Sequence, residues 1–274
     1  DNLICGNFAA TDGAGIGHLG LSSGGQINDN TIIFNQSFRQ TPGLETDGGG
    51  ILIAGTDNFN GSPVSAGAGN VDISRNLIQG NQAGAGDGAG IALRRVNGED
   101  IVGSDNVPGD WWRVRIRNNT IVNNVAGYGG GAISLKDAVR VDIFNNTISN
   151  NESTATAGAA FDLSPSVSSP QVAGIVSRGH ETVAGLINPE DQHEAQYGQG
   201  FSIPNIRYNI IWQNRARIYD LATNALIDPT AGSPSYNDLS IGLIAATGDV
   251  RRNLLTDTAG SHNSNSSGDP AFVT

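Results

Sequence analysis

A group of acidic and histidine side chains in the second half of the chain could carry acid/base or metal chemistry. Imidazoles and carboxylates transfer protons and bind metal ions. Their spacing matches neither H-E-x-x-H nor a zinc-finger pattern, so a solvated loop is the alternative interpretation. The candidate ligand-binding residues of this group lie in the words RGHE and PEDQHEAQY: His180, Glu181, Glu190, Asp191, His193, Glu194 and Tyr197.

A second candidate site combines a carboxylate with two indole rings at Asp110, Trp111 and Trp112. Aromatic rings can stack on the apolar face of a sugar while carboxylates bond its hydroxyl groups. This arrangement suggests glycan binding. The alternative is that the two tryptophans pack the segment against the body of the protein, because buried aromatic rings dominate local packing.

Aspartates that precede glycine-rich words, at Asp12, Asp47 and Asp87, form a third candidate group. Oxygen ligands suit Ca²⁺, but the word DGxG followed by Ile matches neither an EF-hand nor the calcium-binding nonapeptide repeat. We therefore expect these aspartates to make turns, and we expect no cofactor, with Ca²⁺ as the alternative.

These candidates interrupt an internal repeat of the form N-x-[I/L]-x-x-N. Two positions after the first Asn stands a branched aliphatic residue, which predicts a core column. Five positions after it stands a second Asn, which predicts a turn, with Thr258 in its place in the last copy. Asparagines stacked at one strand spacing can also hydrogen-bond to one another. The seven copies begin at Asn2, Asn30, Asn76, Asn119, Asn146, Asn209 and Asn253.

A glycine-rich word follows each turn and ends in an inward-pointing apolar residue. Upstream, alternations such as V-D-I have the period of two that is typical of strands. Shortest repeats of 27 to 28 residues predict an all-β right-handed parallel β-helix (solenoid) of about seven coils. The inward residues are Ile16, Ile51, Ile91, Ile133 and, in the decayed word GAAF, Phe161.

The N-x-T-I-x-x-N and G-G-G-I words resemble the right-handed parallel β-helix repeats of the pectate-lyase-like superfold, in secreted and surface bacterial proteins. The closing DPAFV at 269–273 is similar to the ending of such domains. The resemblance implies architecture more than activity. Neither the catalytic words of polygalacturonase relatives nor the Asp cluster of calcium-dependent lyases has a match here, so no catalytic residue is assigned.

The long insertions recur after the glycine-rich word, which predicts loops on one side of a single domain, 1–274, and we expect this domain to be part of a longer chain. The longest expected loop is 164–205. Outward residues Asp72, Arg115 and Asp142 alternate in sign, which predicts salt bridges between neighbouring coils.

Composition excludes several classes of function. The net charge of −11 argues against nucleic-acid binding. A single cysteine excludes an internal disulfide scaffold, and no stretch is long and apolar enough to insert into a membrane. We expect an extracellular or cell-surface protein whose partner is a polysaccharide or another surface protein.

The expected function is a non-catalytic scaffold or adhesion module that binds glycan through its inserted loops. The first alternative is a polysaccharide lyase or glycoside hydrolase with carboxylates in the 164–205 loop. The second is a structural subunit of a larger surface assembly. The predicted register also implies that Ile121→Asp unfolds several coils, whereas Asp137→Ala has little effect.

Overall fold

The chain folds into parallel β-sheets built from short strands. The computed structural model describes residues 1–39, 45–57, 61–62, 64–105, 107–183, 186–187, 200–241, 250–256, 265–267 and 269–270. Helical structure in this part is limited to α1 (Glu99–Gly103) and to 3-10 turns at Pro108–Asp110 and Gly158–Phe161. Glycine, asparagine and β-branched residues in short alternating runs favour this architecture over helices.

Each complete repeat contributes one strand to each of four sheets. The first four repeats supply β1 (Leu3–Cys5), β2 (Phe8–Ala9), β3 (Ile16–Leu19), β4 (Ser22–Asn28), β5 (Thr31–Ile33), β6 (Gln36–Ser37), β7 (Ile51–Ala54), β8 (Thr56–Asp57), β9 (Ser65–Gly67), β10 (Gly69–Ser74), β11 (Leu77–Gln79), β12 (Gln82–Ala83), β13 (Ile91–Arg94), β14 (Val114–Arg117), β15 (Thr120–Val122), β16 (Val125–Ala126), β17 (Ile133–Lys136) and β18 (Val141–Phe144). The later repeats supply β19 (Thr147–Ser149), β20 (Glu152–Ser153), β21 (Ile175–Ser177), β22 (Asn205–Arg207), β23 (Ile210–Trp212), β24 (Arg215–Ala216), β25 (Ile218–Asp220), β26 (Ala225–Ile227), β27 (Ser235–Tyr236), β28 (Leu239–Ile241), β29 (Val250–Arg251), β30 (Leu254–Leu255) and β31 (Ser266–Ser267).

The strands of successive repeats are neighbours in every sheet. Within the described residues the four sheets have the orders β1-β5-β11-β15-β19-β23-β30-β31, β2-β6-β12-β16-β20-β24-β27, β3-β7-β13-β17-β21-β28 and β4-β10-β14-β18-β22-β29. The pairs are parallel except β24 with β27. The predicted aliphatic column is in register, since Ile32, Ile78 and Ile121 align and are fully buried. The predicted all-β, parallel architecture is therefore confirmed.

Both asparagine columns form hydrogen-bonded ladders, as the repeat predicts. In the second column, Asn81 Nδ2 donates to Asn124 Oδ1 at 3.0 Å, and Asn124 Nδ2 donates to Asn151 Oδ1 at 2.9 Å. The Oδ1 of Asn124 also accepts the backbone N–H of Asn81, and its Nδ2 also reaches the carbonyl of Ile78 at 3.0 Å. Every polar atom of this buried amide has a partner, so the column carries no desolvation penalty for unpaired groups.

The sharp turns lie one residue before the ladder asparagines. Asn118 has φ 56° and Asn123 has φ 57°, whereas Asn119 and Asn124, which follow them, are the ladder members. The sequence interpretation, in which Asn tolerates the left-handed backbone, thus applies to the preceding residue. The ladder asparagine stabilises the corner through its side-chain amide instead.

The glycine-rich words bend the chain as predicted, although the last word was assigned wrongly. The second residue of each intact word is a left-handed glycine, as at Gly88 with φ 66° and Gly130 with φ 57°. Ile91 and Ile133 pair in register, and the next member of that column is Ile175. Phe161 instead closes a 3-10 turn outside the sheets, because the segment after β20 is an insertion that delays the next strand.

The insertions enter the repeats at two points, not one. Segments of 55–68, 95–113 and 178–204 follow strands of the third sheet, whereas 154–174 and 217–234 follow strands of the second. The expected 164–205 loop is interrupted by β21, which pairs with β17 and β28. The ladder also differs from prediction at its end, because Asp238 takes the position after Asn214, and Thr258 lies outside the described residues.

Candidate functional site

The segment between β13 and β14 is fixed to the sheets by a buried polar pair. Asp100 accepts hydrogen bonds from the Gly98 N–H at 2.6 Å, from Asn97 Nδ2 at 2.7 Å and from the Trp112 N–H at 2.8 Å. Burial raises the pKa of Asp100, and these three bonds oppose that rise. Asn97 is fully buried and accepts the N–H of Val139 at 2.7 Å, so the segment is fastened to the next repeat.

Trp111 anchors this segment rather than presenting an open ring. The residue is 2% exposed, and its Nε1 donates to Ser104 Oγ at 2.9 Å. It packs in an apolar cluster with Ile101, Val139, Val183 and Ile187. This is the packing role considered as the alternative to sugar stacking. The cluster also joins the segment to Val183 and Ile187, so the described parts of the two insertions after β13 and β21 pack on each other.

The Trp112 side chain packs against the main hydrophobic core, not in the cluster that contains Trp111. Its ring is packed against that core, and its Nε1 is buried with no hydrogen-bond partner. A Cβ added at Gly67 would lie 2.5 Å from Trp112 Cδ1, so only glycine fits beneath the indole. The tertiary structure therefore places the two adjacent tryptophans in different apolar clusters.

Asp110 is exposed and lies on the rim of a cleft between this segment and the fourth sheet. The cleft has a volume of about 570 Å³, within the range of small-molecule sites. It contains polar backbone and side-chain groups in addition to three arginines. Its lining residues are Ser23, Gly24, Asn70, Gly109, Asp110, Trp111, Arg113, Arg115 and Arg140.

The cleft contains more arginine side chains than carboxylates. Arg113 bonds the Asp142 carboxylate, whereas Arg115 Nε lies 4.0 Å from the same group and its side chain is 46% exposed. Arg140 donates from one terminal nitrogen to the carbonyl oxygens of Gly109 at 2.6 Å and Trp111 at 3.1 Å. Guanidinium groups bonded to neutral carbonyls keep their full charge. The cleft is a locally positive site in a protein of net charge −11.

The expected salt bridges between repeats are present, but they run diagonally. Arg117 pairs with Asp72 at 2.8 Å, and Arg113 pairs with Asp142. Arg115 aligns directly with both aspartates in the register, and its one ion pair among the described residues is the 4.0 Å approach to Asp142. Arg115 therefore remains available on the floor of the cleft.

His180 and Glu181, the described members of the acidic and histidine group, point to different surroundings. The His180 side chain is fully buried, and its Nδ1 lies 3.5 Å from Asp137 Oδ1. The Glu181 side chain is half exposed and pairs with Lys136 at 2.6 Å. Glu190, Asp191, His193, Glu194 and Tyr197 lie outside the described residues.

Asp137, which the sequence interpretation treated as dispensable, is a structural anchor. It is fully buried with φ 49°, and it accepts the N–H groups of Glu181 at 2.9 Å, Thr182 at 3.2 Å and Val183 at 3.4 Å. Burial opposes ionisation, but the contacts from His180, Thr182 and Glu181 outweigh it and lower the pKa. The sequence signal was an aspartate directly after a strand, a position that suits capping of a loop.

The aspartates of the DGxG words bond the backbone of the following repeat. Asp12 Oδ1 accepts the Asp47 N–H at 2.8 Å, Asp47 Oδ1 accepts the Asp87 N–H at 2.8 Å, and Asp87 Oδ1 accepts the Gly129 N–H at 2.7 Å. Arg94 reaches Asp12 at 2.7 Å. These carboxylates therefore link successive repeats, whereas the expected role was to make turns.

The carboxyl group of Asp47, the middle member of this column, has a pKa above its ordinary value. Burial, together with the charge of Asp87, raises the pKa of Asp47 to about 7, against the opposing effects of the Asp87 N–H and Arg94. Arg178 neutralises Asp87 through two bonds of 2.8 Å and stacks over the Tyr128 ring at 4.1 Å. Among the described residues, no group of three or more His, Cys, Asp or Glu side chains is arranged to hold a metal ion.

Comparison with known proteins identifies no relative. Neither a protein-family model, nor a curated protein, nor a solved structure matches the chain. The described residues contain no helix that is long and apolar enough to span a membrane.

Proposed function

We propose that this chain is a non-catalytic scaffold of the right-handed parallel β-helix, pectate-lyase-like type, which acts outside the cell or at its surface and binds an anionic glycan. Parallel sheets whose strands recur repeat by repeat support the architecture. A stack of repeats is stiff along its length, because each repeat contacts its neighbours through in-register strands. Such a scaffold can hold a binding cleft at a fixed position.

The observation that carries the glycan proposal is the cleft lined by Arg113, Arg115 and Arg140. Guanidinium groups recognise carboxylate or sulfate groups through paired hydrogen bonds. Asp110, Asn70 and Ser23 supply acceptors and donors for hydroxyl groups beside these charges. Two of the arginines lie on or next to β14, a regular strand, and rigid strands position a site better than loops do.

The test is binding of an oligogalacturonate and of dextran sulfate, with neutral dextran for comparison, by isothermal titration calorimetry. We expect the two anionic glycans to bind, neutral dextran not to bind, and Arg115→Gln to weaken binding at least about tenfold, which corresponds to one lost charge-assisted bond. Arg117→Gln is the matched control, because Arg117 lies on the same strand, pairs with Asp72 and does not line the cleft. Equal loss in both variants, or no binding to either anionic glycan, contradicts the proposal.

A further inference from the structure

Asp142 is a buried carboxylate beside the arginine cleft, and it pairs with two of the cleft arginines. Arg113 bonds the Asp142 carboxylate through Nε and through a terminal nitrogen, and Arg115 Nε lies 4.0 Å from the same oxygen, Oδ2. The Asp142 side chain is 8% exposed and is not among the residues that line the cleft. Asp142 therefore affects a ligand in the cleft through these arginines and through its own charge.

The strand register fixes Asp142 in this position. Arg115 on β14 aligns with Asp142 on β18, and Asn205 on β22 aligns with Asp142 from the other side. Asn205 Nδ2 also donates to Asp142 Oδ1 at 3.4 Å. Because strands on both sides pair with β18, the backbone of Asp142 is held in place. Its carboxylate consequently stays beside the arginines when an anionic group enters the cleft.

The three cleft arginines differ in the donors that they can offer to a ligand. Arg113 donates to Asp142, whereas one terminal nitrogen of Arg140 donates to two backbone carbonyl oxygens. The remaining nitrogens of Arg140 and the terminal nitrogens of Arg115 donate to no described residue. Arg115 and Arg140 can therefore form paired hydrogen bonds with an anionic group, while Arg113 is already paired inside the protein.

We propose that Asp142 is a specificity-determining residue of the glycan site, where it competes with the anionic groups of the ligand. The inference rests on the proposed function, since it requires that the cleft binds an anionic glycan. Asp142 neutralises Arg113 and repels a carboxylate or sulfate group near Arg115. The native cleft thus binds one anionic group, through Arg115 and Arg140. It favours glycans with one carboxylate on each sugar over glycans with several sulfates on each sugar.

The test is isothermal titration calorimetry of the full chain and its Asp142→Asn variant with dextran sulfate and with an oligogalacturonate. We expect the variant to bind dextran sulfate at least about tenfold more tightly, because Arg113 becomes free to bind a second sulfate. The gain for the oligogalacturonate should be at least about threefold smaller. A purely structural role of Asp142 predicts weaker binding instead, since a distorted site binds less.

Asp72→Asn is the matched control. It removes the same charge from the neighbouring strand of the same sheet, but Asp72 pairs with Arg117, which does not line the cleft. Both affinities should change less than about twofold in this variant.

Removal of the whole ion pair provides a second, independent variant. Arg113→Gln combined with Asp142→Asn retains Arg115, Arg140 and the net charge of the native cleft, so both affinities should stay within about twofold of the native values. A larger loss in this double variant overturns the inference. Unchanged or weaker binding of dextran sulfate by Asp142→Asn, or equal gains for the two glycans, also overturns it, while binding by the native chain leaves the proposed function standing. Failure of the native chain to bind either glycan overturns the proposed function, and the inference with it.

Discussion

Asn214 donates its Nδ2 to Asp238 Oδ1 at 2.8 Å, and this bond ends the second asparagine ladder in a carboxylate. The same Oδ1 also accepts the Asn214 N–H at 3.1 Å, while Oδ2 accepts the Thr256 N–H at 2.9 Å. A carboxylate accepts hydrogen bonds and donates none. It therefore suits the last position of a column in which each side-chain amide donates to the next repeat. Asp238 thereby completes the second ladder column.

Replacement of Asp238 should therefore destabilise the last repeats. Asp238→Ala leaves the two Asn214 donors and the Thr256 N–H without acceptors, and we expect a loss of about 2 to 4 kcal/mol in the free energy of unfolding. Asp238→Asn retains Oδ1 and should cost less, about 1 kcal/mol. Urea denaturation measures both. Equal costs would show that the ladder ending is not what Asp238 contributes.

Asp137→Ala should be strongly destabilising, contrary to the expectation from sequence. The substitution removes the acceptor of the Glu181, Thr182 and Val183 N–H groups, and we expect a cost of about 2 to 4 kcal/mol. Asp162→Ala, at an exposed aspartate, is the control and should cost less than about 0.5 kcal/mol. Thermal unfolding distinguishes them, and similar midpoints would contradict the anchoring role.

The lowered pKa of Asp137 also predicts a dependence on acid. Because the folded pKa lies below the unfolded value of 3.8, its contribution to stability is present above about pH 4 and is lost as the pH falls through the folded pKa. Asp137→Asn should therefore lose less stability than the native chain between about pH 4 and pH 2. Acid titration followed by circular dichroism measures both proteins. An equal loss of stability in the two proteins over this pH range would contradict this attribution.

Asp47 should make the opposite contribution to the pH dependence of stability. Its folded pKa of about 7 exceeds its unfolded value of 3.8, so the folded state retains a proton that the unfolded chain loses above about pH 4. Its contribution to the free energy of unfolding should fall between about pH 4 and pH 7, by about 1 to 4 kcal/mol, and then level off. Asp47→Asn should remove this decline, as urea denaturation across that range can measure. A decline of the same size in the variant would assign it to other groups.

Gly67 should tolerate no side chain, for two separable reasons. Gly67 has φ 89°, and an added Cβ would lie 2.5 Å from the Trp112 ring. Gly61 has a similar φ of 80°, and no atom of another described residue lies within 4 Å of an added Cβ. We expect Gly61→Ala to cost about 1 kcal/mol through backbone strain and Gly67→Ala to cost about 2 to 4 kcal/mol through strain plus overpacking. Only Gly67→Ala should change the tryptophan fluorescence, and an equal effect of both would exclude the contact with Trp112.

The sequence by itself determined the repeating architecture, because columns such as Ile32, Ile78 and Ile121 recur only where strands pair in register. It also determined the asparagine ladders, since identical amides at one strand spacing satisfy one another. The left-handed residue before each ladder asparagine was not predicted, because residues as different as Asn118 and Tyr208 occupy that corner.

The tertiary structure alone decided the partners of side chains in the insertions. Trp111 and Trp112 are adjacent in sequence, yet they enter different apolar clusters, because the chain reverses its facing side at each extended residue. Asp137 and His180 approach each other from neighbouring repeats. Arg113, Arg115 and Arg140 line one cleft where the segment between β13 and β14 lies against the fourth sheet. Such contacts depend on how the insertions fold back onto the stack, which the period of the repeat does not encode.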